Sequence, residues 1–407
     1  MEKKKKILDT NILLDYPQIV TKSNEDWVIP LCVLREIDGL KLNSNGEVAK
    51  KARKAAVYIS KNFSTIAFTT KDDGRKADDQ LLELVPTLNG ILITNDISLK
   101  VRAAAENIET QGFSWKSDYT GIKYFDSIPN ITMEEYIQII GNLETNGIYE
   151  EEGYKFSPNE YLIVPSYYEP YDYKNAIVFK YDGSKFHLVR GKEITNSWYS
   201  RIYPRNPEQI CLVDALYSNS SIVYAGGIYG SGKTLLTHNY AISQLEKEKI
   251  KKIVYVPNNS YTQNTMEVGI LPGNLEDKIY PSIGSLIDLV GIDQVDRWRQ
   301  EEKLEIVPMA YMRGRNFEES IVIVNEAENL TEEHIKLLVA RCGEGTRIFF
   351  DGDIHQADSA IFKDRNGLQL LLKLHESDRF ARIFSAVSLN KIERSEVAAA
   401  ADYLDSL

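Results

Sequence analysis

The phosphate-loop pattern G-x-x-x-x-G-K-[ST], spelled GIYGSGKT at residues 227–234, is the feature that most constrains the fold of this chain. The apolar run SIVYA precedes it, and the segment LLTHNYAISQL follows it at helical spacing. This context matters because such a loop needs a strand before it and a helix after it, so that backbone N–H groups and the positive helix end converge on anionic oxygens. The pattern therefore predicts a nucleotide-binding α/β domain.

Each position of the loop has a chemical reason for its residue type. The glycines let the backbone bend toward phosphate oxygens, Lys233 is expected to reach the β- and γ-phosphates, and Thr234 is expected to hold Mg²⁺. The predicted nucleotide-binding residues of the loop are Gly227, Gly230, Ser231, Gly232, Lys233 and Thr234.

Two later apolar runs end in polar residues that suit the same chemistry. The run SIVIV leads into Asn325 and Glu326, and the run RIFF leads toward Asp353 and Gln356. Acids at such strand ends supply a second Mg²⁺ contact and a water-activating carboxylate in many NTPases, so Glu326 is a predicted catalytic residue. We expect Asp353 and Gln356 to sense the γ-phosphate, and Arg394 to stabilise transferred charge.

Composition narrows the class of protein and its partners. A chain of 407 residues predicts two or three domains, and its net charge of −11 restricts nucleic-acid contact to local basic patches. Three widely spaced cysteines argue for a reducing compartment. No apolar stretch approaches membrane-spanning length, so we expect a cytoplasmic protein without a membrane partner.

The order of apolar runs divides the chain into three predicted domains. Residues 1–128 alternate short apolar runs with helical patterns, as expected for a parallel-sheet α/β domain. Residues 129–205 are rich in tyrosine and short strands, and predict a small β-rich connector whose aromatics mainly fill a core, with base stacking as the alternative. Residues 206–407 return to the α/β pattern around the phosphate loop.

Acidic residues stand where the strands and helices of the first domain meet. Because the carboxyl ends of parallel strands share one sheet edge, these acids are expected to converge in one crevice. Such a carboxylate cluster suits Mg²⁺ or Mn²⁺, which offsets the mutual repulsion. The predicted metal-site acids are Asp9, Glu36, Asp78 or Asp79, and Asp96.

These residues resemble the PIN nuclease family, through DTN at residues 9–11, VLREIDGLK, the Asp-Asp-x-x-Leu helix start and TND at residues 94–96. The resemblance implies a metal-dependent endoribonuclease with Asn11 and Thr94 as supporting hydrogen-bonding residues. Asp78 remains a rival to Asp79, because the sequence does not say which carboxylate turns inward. The catalytic acids implied are Asp9, Glu36, Asp79 and Asp96.

The second half resembles the PhoH family of ATPases, related to the superfamily-one helicase core, through GSGKT, GILPGNLEDK, MAYMRGR, NEAEN, GDIHQAD and ERSEVA. The resemblance implies that Gln209 contacts adenine, that Gln356 contacts the γ-phosphate, and that Arg394 acts as an arginine finger across a subunit boundary. Two departures stand out: Asn325 replaces the usual acid, and Asn258 and Asn259 replace the usual Arg-Pro.

Together the two resemblances make the chain similar to the fused PIN–PhoH type, described as an ATP-dependent RNA helicase and ribonuclease. They imply ATP with Mg²⁺ or Mn²⁺, RNA as partner and a homo-oligomer expected as a hexameric ring, and they leave room for a partner protein that restrains the nuclease. The alternative is an ATP-gated RNA-binding ring with weak or absent hydrolysis, because Asn325 carries no charge. A kinase-like phosphoryl transferase is a third hypothesis.

Overall fold

Two units make up the chain, Met1–Lys116 and Ser117–Leu407, which we call the N-terminal and C-terminal units. The computed structural model describes residues 4–21, 26–43, 46–70, 72–113, 119–126, 130–149, 155–257, 283–354, 356 and 366–393. Among these residues, no helix is long and apolar enough to cross a membrane.

The N-terminal unit is an α/β domain with a parallel five-stranded sheet of order β3-β2-β1-β4-β5. Its strands are β1 (Lys5–Leu8), β2 (Trp27–Ile29), β3 (Ala67–Phe68), β4 (Gly90–Ile93) and β5 (Thr110–Gln111). Its helices are α1 (Thr10–Asp15), α2 (Leu31–Leu40), α3 (Gly46–Lys61), α4 (Ala77–Thr87) and α5 (Ile97–Ala105).

The centre of this sheet explains how the predicted acids are brought together. Strand β1 pairs with β2 on one side and β4 on the other, and Leu8 is opposite Ile93. The apolar residues of both strands are buried in one core, which makes the register hard to shift. The residues that follow β1 and β4 must therefore emerge next to each other.

The C-terminal unit begins with a four-stranded sheet of order β6-β7-β8-β9. Strand β6 is parallel to β7, whereas β7 with β8 and β8 with β9 are antiparallel pairs. Its elements are β6 (Ile122–Tyr124), α6 (Met133–Thr145), β7 (Tyr161–Val164), β8 (Ile177–Tyr181) and β9 (Phe186–Val189). The connector was predicted to begin at residue 129, but its first strand lies before that position. Phe179 is buried in the sheet's own cluster and Tyr161 in the cluster that it shares with the phosphate-loop domain, whereas Tyr168 and Tyr171 are exposed.

This small sheet is not a separate unit, because one of its faces packs into the core of the phosphate-loop domain. Ile163 and Val178 belong to the same buried cluster as Leu212 and Leu236 further along the chain. The structure thus has one C-terminal unit where the sequence predicted a connector and a separate domain.

The larger sheet of the C-terminal unit is parallel and has six strands in the order β12-β11-β13-β14-β10-β15. The strands are β10 (Ile222–Gly227), β11 (Lys252–Val256), β12 (Leu304–Ile306), β13 (Ser320–Val324), β14 (Arg347–Asp351) and β15 (Phe384–Leu389). The helices are α7 (Pro207–Tyr217), α8 (Lys233–Glu246), α9 (Gly284–Val290), α10 (Ile292–Gln300), α11 (Glu332–Val339) and α12 (Gly367–Leu372).

Alternate residues of these strands belong to two different buried clusters. On β10, Val223 and Ala225 lie in one cluster, and Ile222 and Tyr224 lie in the other. A strand buried on both faces reads as a continuous apolar run, which is why SIVYA and SIVIV contain no polar alternation.

Candidate carboxylate and phosphate-loop sites

Asp9 lies directly after β1 and is almost completely buried. Its Oδ1 accepts a hydrogen bond from the backbone N–H of Thr10 (2.6 Å), and its Oδ2 accepts one from the hydroxyl of Thr94 (2.6 Å). The side-chain amide of Asn11 in turn donates to Thr94 Oγ1 (3.2 Å). Asn11 and Thr94 are thus placed to orient the Asp9 carboxylate.

The other predicted acids of this unit share the electrostatic surroundings of Asp9. Burial raises the pKa of Asp9 to about 6, and the negative charges of Asp78 and Glu36 add to the shift. Burial also raises the pKa of Asp78, with contributions from Asp96 and Glu36. These four residues, which we call the carboxylate cluster, therefore repel one another at one end of the sheet.

Two members of the carboxylate cluster are held by hydrogen bonds within the fold. Glu36, on α2, accepts a hydrogen bond from the hydroxyl of Thr10 (2.6 Å). Asp96 is the N-cap of α5 and accepts a hydrogen bond from the backbone N–H of Leu99 (2.9 Å). The cap fixes the direction of the Asp96 carboxylate as well as the start of the helix.

The structure separates the two neighbouring candidates on α4. The Asp79 side chain is 39% exposed and forms an ion pair with Arg102, on α5. Asp79 was the residue expected to join the metal-site acids, but it is the pKa of Asp78 that the charges of Asp96 and Glu36 raise. Successive helix residues point about 100° apart, so both side chains cannot face the cluster.

The carboxylate cluster fits Mg²⁺ or Mn²⁺ in donor type, since it offers only hard oxygen ligands and a repulsion that a cation would relieve. Within the described ranges, however, no three His, Cys, Asp or Glu side chains are arranged to hold a metal ion. Ion binding therefore requires these carboxylates to move closer together.

In the C-terminal unit, the phosphate loop joins β10 to α8 as predicted. Lys233 donates from Nζ to the carbonyl oxygens of Gly227 (2.6 Å) and Ile228 (2.9 Å). Gly232, the N-cap of α8, has φ +95°, and Gly227 has φ +114° with Leu389 O only 1.9 Å from where a Cβ would lie. Both positions need glycine, because other residues rarely adopt this conformation.

Gln209 supports this loop from α7. Its Nε2 donates to the carbonyl oxygen of Ser231 (2.9 Å), and its Oε1 accepts from the backbone N–H of Arg205 (2.8 Å). Both ends of the amide are therefore engaged by backbone, and a contact between Gln209 and adenine stays a prediction.

The predicted catalytic acid Glu326 follows β13 in the left-handed region, at φ +50°. A non-glycine residue in this region carries backbone strain that often marks functional positions. Two residues later, Glu328 is buried and accepts a hydrogen bond from the backbone N–H of Asp353 (3.3 Å). The backbone N–H of Gln356 donates to Asp353 O (3.0 Å), so of the two predicted sensor residues Asp353 contacts Glu328 and Gln356 follows it in the same turn.

Some predicted positions lie outside the described residues. Arg394 is one, and Asn258 and Asn259 are the others. Their roles stay predictions.

Asp351, the last residue of β14, was not among the residues predicted from the sequence. It is buried, and its Oδ2 accepts a hydrogen bond from the hydroxyl of Thr234 (2.6 Å). Burial raises the pKa of Asp351, while the positive charge of Lys233 and the bond from Thr234 oppose that shift. The available signal was an acid at the end of the run RIFFD, but its relevance depends on the order of strands in the sheet.

Comparison with known proteins gives two separate matches. Residues 6–114 match the family model of the PIN domain, and residues 201–403 match the family model of the PhoH-like protein. A PhoH-like protein of Bacillus subtilis is 33% identical over 148 residues, 35% of this chain and 46% of the relative. Protein PhoH of Escherichia coli is 32% identical over 165 residues, 39% of this chain and 46% of the relative.

The chain spans about half the length of these curated relatives. A solved domain of a functionally unknown protein from Methanocaldococcus jannaschii matches 28% of this chain and 95% of its own length, at 16% identity and a TM-score of 0.23.

Proposed function

Since this chain belongs to the PIN–PhoH fusion family, with a PIN domain at residues 6–114 and a PhoH domain at residues 201–403, we propose that it is an ATP-dependent RNA-remodelling enzyme fused to an endoribonuclease. The ATPase part of this proposal rests on the phosphate loop between β10 and α8, in which Lys233 donates hydrogen bonds to two carbonyl oxygens of the loop. In this proposal the C-terminal unit is a helicase-like ATPase, and the N-terminal unit cuts RNA.

The geometry of the loop supports ATP binding. Lys233 Nζ donates hydrogen bonds to two carbonyl oxygens of the loop. The phosphate oxygens of ATP would replace these carbonyl oxygens, because charged oxygens are stronger acceptors. Gln209 keeps the loop in place through Ser231, so the backbone N–H groups need little rearrangement. Little reorganisation on binding favours affinity.

The test of this half is fluorescent ATP-analogue binding and phosphate release, each with and without RNA. Lys233→Ala should weaken binding by on the order of tenfold to a hundredfold, because a charge-assisted contact to phosphate is lost. Lys249→Ala is the matched control, since Lys249 is an exposed lysine beyond the end of α8. Equal binding by wild type and Lys233→Ala would contradict the assignment.

For the nuclease half, the carboxylate cluster and an adjoining cavity provide the support. A cavity of about 360 Å³ is lined by Glu36 and Asp78 together with Arg35, Arg75 and Lys76. Basic side chains at its wall would attract a phosphodiester toward the acids. We assign Asp9, Glu36, Asp78 and Asp96 as the residues that would hold Mg²⁺ or Mn²⁺, which when bound activates water and stabilises charge on the scissile phosphate.

Asp9→Asn tests this half directly, with cleavage of single-stranded RNA in Mn²⁺ as the readout. The substitution should reduce cleavage by more than about a hundredfold, because metal-ion catalysis contributes several kcal/mol. Asp38→Asn is the control, since Asp38 is an exposed acid on α2 that pairs with Lys41. Cleavage that persists in Asp9→Asn would place the activity elsewhere.

We extend the proposal to RNA as substrate, to a homo-oligomeric ring, expected to be hexameric, and to a cytoplasmic location. A partner protein that restrains the nuclease is compatible with it. Mass measurement in solution with and without ATP tests the ring, and a monomer under both conditions would contradict it.

A further inference from the structure

Two neighbouring strand ends meet beside the phosphate loop. Strand β14 lies between β10 and β13. Ala225 of β10 is opposite Asp351, and Val324 of β13 is opposite Phe350. Asn325 and Asp351 therefore occupy adjacent register positions on neighbouring strands, which lie about 4.8 Å apart in a sheet.

Only one of these two positions carries a charge, and it is the one in contact with the phosphate loop. Asp351 is 3% exposed and accepts the hydroxyl hydrogen of Thr234 at 2.6 Å. Burying a carboxylate is costly unless a partner compensates it. The Thr234 hydroxyl and the nearby charge of Lys233 offset only part of the cost of burying Asp351, since the pKa of Asp351 is still raised.

We propose that Asp351 supplies the carboxylate that faces the Mg²⁺ of bound nucleotide, so that the negative charge missing at Asn325 stands one strand away on β14. The inference rests on the proposed ATP binding. Thr234 and Asp351 together form a hard-oxygen pair suited to Mg²⁺ and its bound water. Asn325 then contributes an uncharged amide beside them.

This arrangement changes what is expected of Asn325. From the sequence, weak or absent hydrolysis was the alternative hypothesis, because Asn325 carries no charge. With Asp351 in place the site already holds one carboxylate, so a second at position 325 would repel it and the ATP phosphates in the absence of metal. If Asp351 has this role, the missing charge at Asn325 no longer favours the weakly hydrolysing alternative.

The experiment measures how much Mg²⁺ improves the binding of a fluorescent ATP analogue by the full chain, compared with binding in EDTA. Asp351→Asn keeps a hydrogen-bond acceptor for Thr234 but removes the charge. It should reduce the Mg²⁺-dependent gain by about tenfold to a hundredfold, while metal-free binding is unchanged or tighter. The double variant Asp351→Asn with Asn325→Asp should recover the gain.

The outcomes separate the inference from the proposed function. An unchanged Mg²⁺ gain in Asp351→Asn, or a loss that the double variant does not recover, overturns the role of Asp351. If Asp351→Asn does not fold, Asn325→Asp alone decides: weaker metal-free binding supports the inference, and no change opposes it. Failure of wild type to bind the analogue, or equal binding by Lys233→Ala, contradicts ATP binding itself.

Discussion

The ionisation of Glu328 should be visible in the stability of the C-terminal unit. It lies in the short turn Ala327–Asn329 after β13 and is 7% exposed. Burial raises the pKa of Glu328 from 4.5 to about 8, and the nearby charges of Asp351 and Glu326 contribute. We therefore expect Glu328 to retain its proton at neutral pH in the folded protein.

The sign and size of the effect follow from this shift. Between pH 4.5 and 8 the folded state holds a proton that the unfolded state has lost, so this group lowers the free energy of unfolding as the pH rises. With these two pKa values, the loss between about pH 5.5 and pH 8 is about 3 kcal/mol. Glu328→Gln has nearly the same shape and cannot ionise, so it should escape this loss.

Urea unfolding of wild type and Glu328→Gln at about pH 5.5, 7 and 8 measures the effect. The variant should gain stability relative to wild type as the pH rises, by about 3 kcal/mol over that range. Glu333→Gln is the control, because Glu333 is exposed on α11 of the same unit. A difference between wild type and Glu328→Gln that stays constant with pH, or grows toward acid, would show that Glu328 is ionised in the folded protein.

Two further changes test the packing around the phosphate loop. Gly227→Ala would place a Cβ 1.9 Å from Leu389 O, so we expect a loss of at least about 2 kcal/mol in urea unfolding, whereas Gly284→Ala meets open space and should lie within about 1 kcal/mol of wild type. His238 is buried, and burial lowers its pKa to about 4, so the unfolded state binds more protons between pH 4 and 6.5 and stability falls as the pH drops. His238→Leu should lessen that fall by about 2 kcal/mol between about pH 7 and pH 4.5, and an unchanged acid slope would show that His238 is protonated in the folded state.

Local patterns were sufficient where neighbouring residues make the structure. The phosphate loop was predicted from eight consecutive residues, and β10 and α8 flank it in the structure. Asp9 and Asp96 were placed at strand ends for a similar reason, because alternating strands and helices predict a parallel sheet whose carboxyl ends share an edge.

The choice between Asp78 and Asp79 required the folded structure. Both residues lie in the first turn of α4, and both are acidic. Packing of α4 against the sheet brings Asp78 toward the cluster and leaves Asp79 to pair with Arg102. No pattern within the helix distinguishes two identical neighbours.

Fold class, the phosphate loop and the strand-end acids Asp9 and Asp96 follow from residues close together in the chain, since hydrogen bonding and hydrophobic periodicity act over a few positions. Contacts between distant segments decide the rest. They give Asp351 its role, place the uncharged Asn325 next to it, and join the small sheet to the phosphate-loop domain. Strand order brings β14 between β10 and β13, and such long-range pairing depends on how the whole core packs.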